Sequence, residues 1–256
     1  MSFTPIRPKK HLGQHFLIDE EIARNITDSL TASNECLLEI GPGTGVLTKY
    51  LVNKGFGSFK AVEIDREAVQ YLDKQFNLGD NLILDDFLKM DLDGLFQGKF
   101  SIIGNFPYNI SSQIFFKILD YRELVEETVG MLQKEVSQRI ASPPGNKEYG
   151  ILSVLLQAWY EIEYLFSVSE ESFSPPPKVK SAVIRLKRNA VRQLPCDEKL
   201  FFKVVKVAFN QRRKTLHNAL KPLVGYNGKY AGKRAEQLEV NDFTELTNEI
   251  AVIITK

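Results

Sequence analysis

The run with the most specific chemistry in this chain is Gly104-Asn105-Phe106-Pro107-Tyr108-Asn109. An amide followed by a proline and an aromatic ring suits group transfer to the exocyclic amino nitrogen of a nucleobase. The lone pair of such a nitrogen is delocalised into the ring, so the nitrogen is a poor nucleophile. The Asn105 side-chain oxygen and the Pro107 backbone carbonyl can accept its N–H hydrogen bonds, hold it in line with a donor methyl and favour a pyramidal, more nucleophilic geometry. Tyr108 would stack on the base. No strong base is required before attack on a sulfonium donor, because the sulfur leaves neutral and the proton is lost afterwards. Catalysis of this kind rests on positioning and on preferential stabilisation of the transition state. An ordinary Asn-Pro loop accounts for Asn109 but poorly for the whole run.

Three earlier segments supply a place for a nucleoside donor. Leu38-Glu39-Ile40-Gly41-Pro42-Gly43-Thr44-Gly45 reads as a strand ending in glycines where a helix begins. Such a turn brings backbone N–H groups close to a ligand. Val46 stands after Gly45, so the spacing departs from the GxGxxG of nicotinamide-binding turns and favours a donor without a diphosphate, in particular S-adenosylmethionine. About twenty residues on, Ala61-Val62-Glu63-Ile64-Asp65 ends a second strand. Glu63 is the candidate acceptor for the ribose hydroxyls, whereas Asp65 is a natural N-cap for a helix starting at Arg66. At the end of a third strand, Leu84-Asp85-Asp86-Phe87 offers one acid for the exocyclic amine of an adenine and one ordinary turn residue. These features fall at successive strand ends, the edge where open α/β sheets bind ligands.

The elements needed to hold these residues are legible as a rhythm of β-branched apolar runs and amphipathic stretches, the pattern of βαβ units around a parallel sheet. Strands are expected over 37–40, 59–64, 82–84, 101–104 and 128–132, with helices over 45–53, 66–76, 111–119 and 134–141. Apolar strands without alternation imply helices on both faces. Two further strands, 162–168 and 181–187, flank Pro175-Pro176-Pro177 and are expected as an antiparallel pair at the sheet edge. Beyond residue 189 only short helices are expected, over 198–209, 212–220, 229–238 and 244–254. Trp159 and Tyr160 read as core residues of an apolar helix. The expected architecture is a Rossmann-like α/β domain over 1–188 and a small all-α domain over 189–256.

The ordered motifs resemble the ribosomal RNA adenine N6-dimethyltransferase family, most closely its bacterial small-subunit (16S) branch. The resemblance runs from Lys10 to about Leu220. It is carried by His11-Leu12-Gly13-Gln14-His15-Phe16-Leu17, the Gly41 turn, Glu63, Asp86, Asn105-Phe106-Pro107-Tyr108, Leu132-Gln133-Lys134-Glu135-Val136, Phe173-Ser174-Pro175-Pro176-Pro177-Lys178-Val179 and Phe209-Asn210-Gln211-Arg212-Arg213-Lys214-Thr215-Leu216. Family members often carry Asn at the position of His15 and Leu at that of Phe106. The resemblance implies an S-adenosylmethionine-dependent methyltransferase fold, with the donor held by His15 and Leu17 of the N-terminal arm, Gly41, Glu63, Asp86 and Asn105. It also implies that Phe173 walls the target-adenosine pocket opposite Tyr108; from the residues alone Phe173 reads as core. The implied activity is dimethylation of N6 on two adjacent adenosines in the 3′-terminal hairpin loop of 16S ribosomal RNA, within an immature small subunit. Two alternatives are modification of an adenosine in 23S ribosomal RNA, as in macrolide-resistance relatives, and an assembly factor whose RNA binding matters more than its catalysis.

Charge supports an RNA partner only when resolved along the chain. The formal net charge is +1, yet residues 178–234 hold 16 basic and 2 acidic side chains while residues 19–177 hold 13 basic and 25 acidic. Such asymmetry suggests an acidic body carrying a phosphate-contacting face, with Arg212, Arg213 and Lys214 at its centre. A solvated basic surface is the bland alternative. Two cysteines, Cys36 and Cys196, and three histidines offer neither a disulfide framework nor a metal site. The N-terminus has no apolar signal-peptide core, and the longest uncharged run, Phe100 to Phe116, carries Gly104, Asn105, Pro107 and Asn109, which a bilayer would not accept. A cytoplasmic monomer that binds no membrane and no metal is expected.

Overall fold

The computed structural model of the protein describes residues 6–9, 12–31 and 36–255. Lys10 and His11 of the arm motif lie outside them. The chain opens with β1 (Phe16–Leu17) and α1 (Glu20–Asp28), whose first turn is capped by Asp19 accepting from the N–H groups of Glu21 and Ile22. Four parallel strands follow with their helices: β2 (Cys36–Ile40), α2 (Thr48–Leu51), β3 (Ser58–Glu63), α3 (Arg66–Phe76), β4 (Leu82–Leu84), β5 (Phe100–Asn105) and α4 (Ser111–Asp120). Next come β6 (Val125–Gln133), parallel to β5, then α5 (Lys134–Ala141), α6 (Ile151–Gln157), β7 (Tyr160–Val168), β8 (Phe173–Ser174) and β9 (Ser181–Arg188).

The main sheet has the order β4-β3-β2-β5-β6-β9-β7, and a separate two-stranded ribbon joins β1 to β8. The expected strands at 162–168 and 181–187 are neighbours at one edge, as β7 and β9. The pairing of β9 with β6 is antiparallel. Because β2 lies between β3 and β5, the chain runs outward through β3 and β4 and then returns across β2 to β5. That reversal opens a crevice beyond the carboxyl ends of β2 and β5. Four of the five residues of β2 and five of the six of β5 are buried, as a sheet covered on both faces requires. The apolar core beside the crevice includes Leu17, Leu37, Leu47, Ile103, Met131, Phe173 and Val183.

The rest of the chain is helical: α7 (Glu198–Asn210), α8 (Leu216–Ala219) and α9 (Val240–Ile254). Two compact units result, one comprising 1–137 and 163–188, the other 138–162 and 189–256. The second unit takes in α6 and Trp159 as well as the helices that follow residue 188. Trp159 is fully buried against Phe201 and Phe202 of α7, which explains why 138–162 clusters with the helices rather than with the sheet. Trp159 and Tyr160 are core residues, but they follow α6, and Tyr160 begins β7. The helix expected over 45–53 shrinks to α2, because residues 43–47 form a turn. That expected over 212–220 shrinks to α8. Of the stretch expected over 229–238, only a single turn at Ala235–Gln237 is helical.

Candidate active site

The crevice is lined by the arm residues Gln14 to Leu17, the Gly41–Val46 turn after β2, Glu39, Glu63 and the Asn105–Tyr108 turn after β5. Gly41 opens its backbone to the crevice. Its φ of +64° suits glycine, and a Cβ there would meet no atom within 4 Å and would enlarge the chain into open space. Glu63 is 5 % exposed and is fixed by N–H donors, with Gly43 donating to Oε2 at 3.1 Å and Asp65 to Oε1 at 2.9 Å. Burial raises its carboxyl above the ordinary value, and those N–H donors oppose the rise. Ile64, on the cavity wall, and Leu84 at the end of β4 are apolar side chains left 51 % and 44 % exposed at neighbouring strand ends. An apolar shelf, an open glycine and a buried acid are the groups that S-adenosylmethionine needs for its adenine, its chain and its ribose, so the residues present fit the donor.

The arm is folded over this crevice rather than loose. Phe16 and Leu17 pair with Ser174 and Phe173 in register, and Lys9 ion-pairs with Asp65 at 2.6 Å. Gln14 also donates to Asp65, at 3.3 Å, and Asp65 caps α3 by accepting from Glu67 N–H. Burial alone would raise the Asp65 carboxyl, but Lys9 and these donors together hold it below its usual range. The cap read from the sequence is therefore also a clasp for the arm.

Three expectations meet a different geometry. Phe173 is 2 % exposed, paired with Leu17 across the ribbon and packed into the core, and is not among the residues lining the crevice. The ring that faces Tyr108 is instead His15, in an offset stack with centroids 5.5 Å apart and planes at 26°. Asp86 lies outside the crevice lining; its oxygens accept from Leu88 N–H at 3.0 Å and pair with Lys89 at 3.3 Å. Lys89 is 83 % exposed, and an exposed pair of that kind is weak enough to exchange for a ligand amine. Arg212 is committed internally, donating to the carbonyls of Lys147 at 2.6 Å and Tyr149 at 2.9 Å, whereas Arg213 and Lys214 are exposed.

Glu39 is a crevice residue that the sequence did not single out, because an acid inside an apolar strand carries no motif of its own. It is 1 % exposed and accepts from the Thr48 hydroxyl at 2.7 Å. Burial pushes its carboxyl up to about 8; the Thr48 bond opposes this and the charge of Glu63 adds to it. The folded protein thus retains a proton that the unfolded chain releases near the ordinary value of 4.5, and stability must fall as pH rises from there to about 8. Glu39→Gln should abolish that slope. In urea unfolding the variant is expected to match the wild type near pH 5 and to exceed it near pH 8. Equal pH dependence of the two proteins would refute this assignment.

A sheet with this reversal, a glycine cradle, a buried ribose acid and an Asn-x-Pro-Tyr turn at one edge define a Rossmann-like methyltransferase acting on a base nitrogen. Over residues 6–252 the chain matches the model for ribosomal RNA adenine dimethylase, and it belongs to that family. It is 58 % identical over 253 residues to the ribosomal RNA small subunit methyltransferase A of Cytophaga hutchinsonii, covering 96 % of this chain and 98 % of that one. Identity to the protein of the same name from Bacteroides thetaiotaomicron is 55 %, with 96 % and 94 % covered. Among solved structures, a dimethyladenosine transferase from Plasmodium falciparum superposes with a TM-score of 0.77 at 25 % identity, over 93 % of this chain and 98 % of that one. The 23S rRNA methyltransferase ErmE shares the fold, with a TM-score of 0.68 at 24 % identity over 91 % and 99 % of the two chains. The protein is an enzyme, a methyltransferase that uses S-adenosylmethionine. No helix among the described residues is long and apolar enough to cross a membrane.

Proposed function

We propose that this enzyme transfers methyl groups to N6 of two adjacent adenosines in the 3′-terminal hairpin loop of 16S ribosomal RNA, in an immature small subunit and as a monomer in the cytoplasm. The observation that carries the reading is the placement of Asn105, Pro107 and Tyr108 at the carboxyl end of β5, in the same crevice as Gly41 and Glu63.

S-adenosylmethionine, when bound, would supply an activated methyl on a sulfonium; Glu63 and the Gly41 turn would hold it together with Leu17 and His15 of the arm, and Asp86 would accept from its adenine amine. Asn105 Oδ1 accepts from the target amine. The Pro107 carbonyl already accepts from Ile110 N–H at 3.2 Å and has a second lone pair for the amine. Tyr108, held by a hydrogen bond between its hydroxyl and Ser181, offers its ring to the base. Reaching N6 requires an unstacked base, which a loop provides and a regular duplex does not. The proton leaves after transfer, to water.

Methylation of purified immature small subunits, followed by mass spectrometry of the RNA, should yield paired dimethyladenosines near the 3′ end. Modification confined to large-subunit RNA would overturn the proposal. If maturation proceeds normally with a binding-competent but inactive variant, catalysis is not the essential role.

The exposed cations Arg213 and Lys214 on the helical unit are assigned to phosphate contacts, together with Lys199 and Lys203 on α7. Affinity for the particle should fall steeply with salt. Removing Arg213 and Lys214 together should flatten the log–log salt slope by about 1.4 to 1.8, two contacts at ~0.7–0.9 each. Arg212→Ala should instead lower thermal stability, because it leaves the Lys147 and Tyr149 carbonyls without their donor. A salt slope untouched by the double replacement would exclude this face.

A further inference from the structure

We infer that Lys117 is a positioning residue for donor recognition, holding in place the turn that presents Asp86 to the donor's adenine. The inference rests on the role proposed above for Asp86. Lysine is seldom buried, yet Lys117 of α4 is 8 % exposed, and it stands outside the crevice lining. Its Nζ donates to the Met90 carbonyl and lies 5.2 Å from the centre of the Phe87 ring and 5.7 Å from that of Tyr121. Burial lowers the pKa of this amine, and the charges of Asp86, Asp91, Asp85 and Asp120 oppose the fall. A long cationic side chain has thus been withdrawn from water and directed at one carbonyl.

That carbonyl ends the Asp86 turn. The Asp86 carbonyl accepts from the N–H groups of Lys89 at 2.8 Å and Met90 at 3.0 Å, so residues 86–90 make one isolated turn of helix. Such a turn does not hold by itself, because it fixes many dihedrals for few hydrogen bonds. Here it is held from outside at both ends. At its start, Asp85 N–H donates to the Glu63 carbonyl at 3.1 Å, which sets the corner beside the proposed ribose acid. At its end, Lys117 satisfies Met90, and a cation has the favourable sign for the C-terminal end of a helical turn. The Tyr121 hydroxyl adds a bond to Asp91 at 2.8 Å. Phe87 and Met90 are buried between these anchors, whereas Asp86 stays partly exposed. Because α4 directly follows the Asn105–Tyr108 turn, one helix joins the residues for the target amine to the tether of the adenine acid.

Lys117→Met keeps the buried stem and removes the donor to Met90. In calorimetry its Kd for S-adenosylhomocysteine should rise about tenfold, the scale of one hydrogen bond to a charged group. Turnover at saturating donor should stay within about twofold of wild type. The analogue S-inosylhomocysteine carries a carbonyl where adenine has its amine, so it gives Asp86 no hydrogen to accept. Its Kd should not change, and the preference for adenine over hypoxanthine should therefore fall by about tenfold. A lysine that only stabilised the fold would lower the melting temperature and leave that ratio alone. Lys117→Gln, whose N–H reaches one atom less far, should lose less affinity than Lys117→Met. In both ligand-free variants the Lys89 and Met90 main-chain N–H groups should exchange faster with deuterium. The inference is wrong if Lys117→Met keeps the wild-type ratio while Asp86→Asn lowers it, or if turnover at saturation falls with donor affinity intact. If Asp86→Asn also keeps the ratio, Asp86 does not read the adenine, and its proposed role falls together with the inference. A wild type that binds the donor but modifies no small-subunit RNA would instead sink the proposed function and leave this inference standing.

Discussion

Asn105→Ala is expected to reduce methyl transfer by at least about 10²-fold, the loss typical when a reacting nitrogen is no longer held in line. Donor binding should survive, because the Asn105 amide spends its hydrogen bond on the His15 carbonyl and the donor's ribose is the business of Glu63. RNA affinity should also survive, since the exposed cations assigned to phosphate contacts belong to the other unit of the chain. Calorimetry with S-adenosylmethionine and filter binding of the particle separate these terms from turnover. Asn105→Asp sharpens the test. The carboxylate keeps an acceptor for the target amine but has no N–H for His15, and places an oxygen against that carbonyl. Its activity should fall between the wild type and Asn105→Ala. An aspartate variant as fast as wild type would show that the bond to the arm orients nothing.

Gly130→Ala is expected to damage the site from beneath. Gly130 of β6 and Gly104 of β5 are direct partners across the sheet, and the Phe106 ring lies over both. A Cβ on Gly130 would overlap that ring, which is 1 % exposed and packed edge-on against Phe115. Overpacking of this kind costs about 1–3 kcal/mol, which for a chain of this size lowers the melting temperature by roughly 2–12 °C. The nearest atoms such a Cβ would meet all belong to Phe106, which adjoins Asn105 and Pro107 in the chain, so kcat should fall along with stability. Adding Phe106→Leu, which removes the ring, should recover both. On its own Phe106→Leu leaves a void and destabilises, so the two changes should couple with opposite signs in a double-mutant cycle. Additive losses would mean the glycine pair does not support the turn.

What the sequence determined by itself was local. Strand, turn and helix signals lie within ten or so residues of one another, and each strand end that carries chemistry, at Gly41, Glu63 and Asn105, could be read from its own neighbours. The parallel sheet and the family followed from the order of those segments. The tertiary structure decided what depends on residues far apart in the chain. Phe173 is core because Leu17, more than 150 positions earlier, pairs with it across the ribbon. Arg212 is structural because the carbonyls of Lys147 and Tyr149 happen to face it, and a run of three cations in the sequence cannot say which of them has been claimed. Trp159 pulls 138–162 into the helical unit although the strands on either side belong to the sheet. Charge, size and hydropathy are properties of a residue and can be read one at a time, whereas a hydrogen-bond partner or a stacked ring is a property of a pair, and only folding chooses the pair.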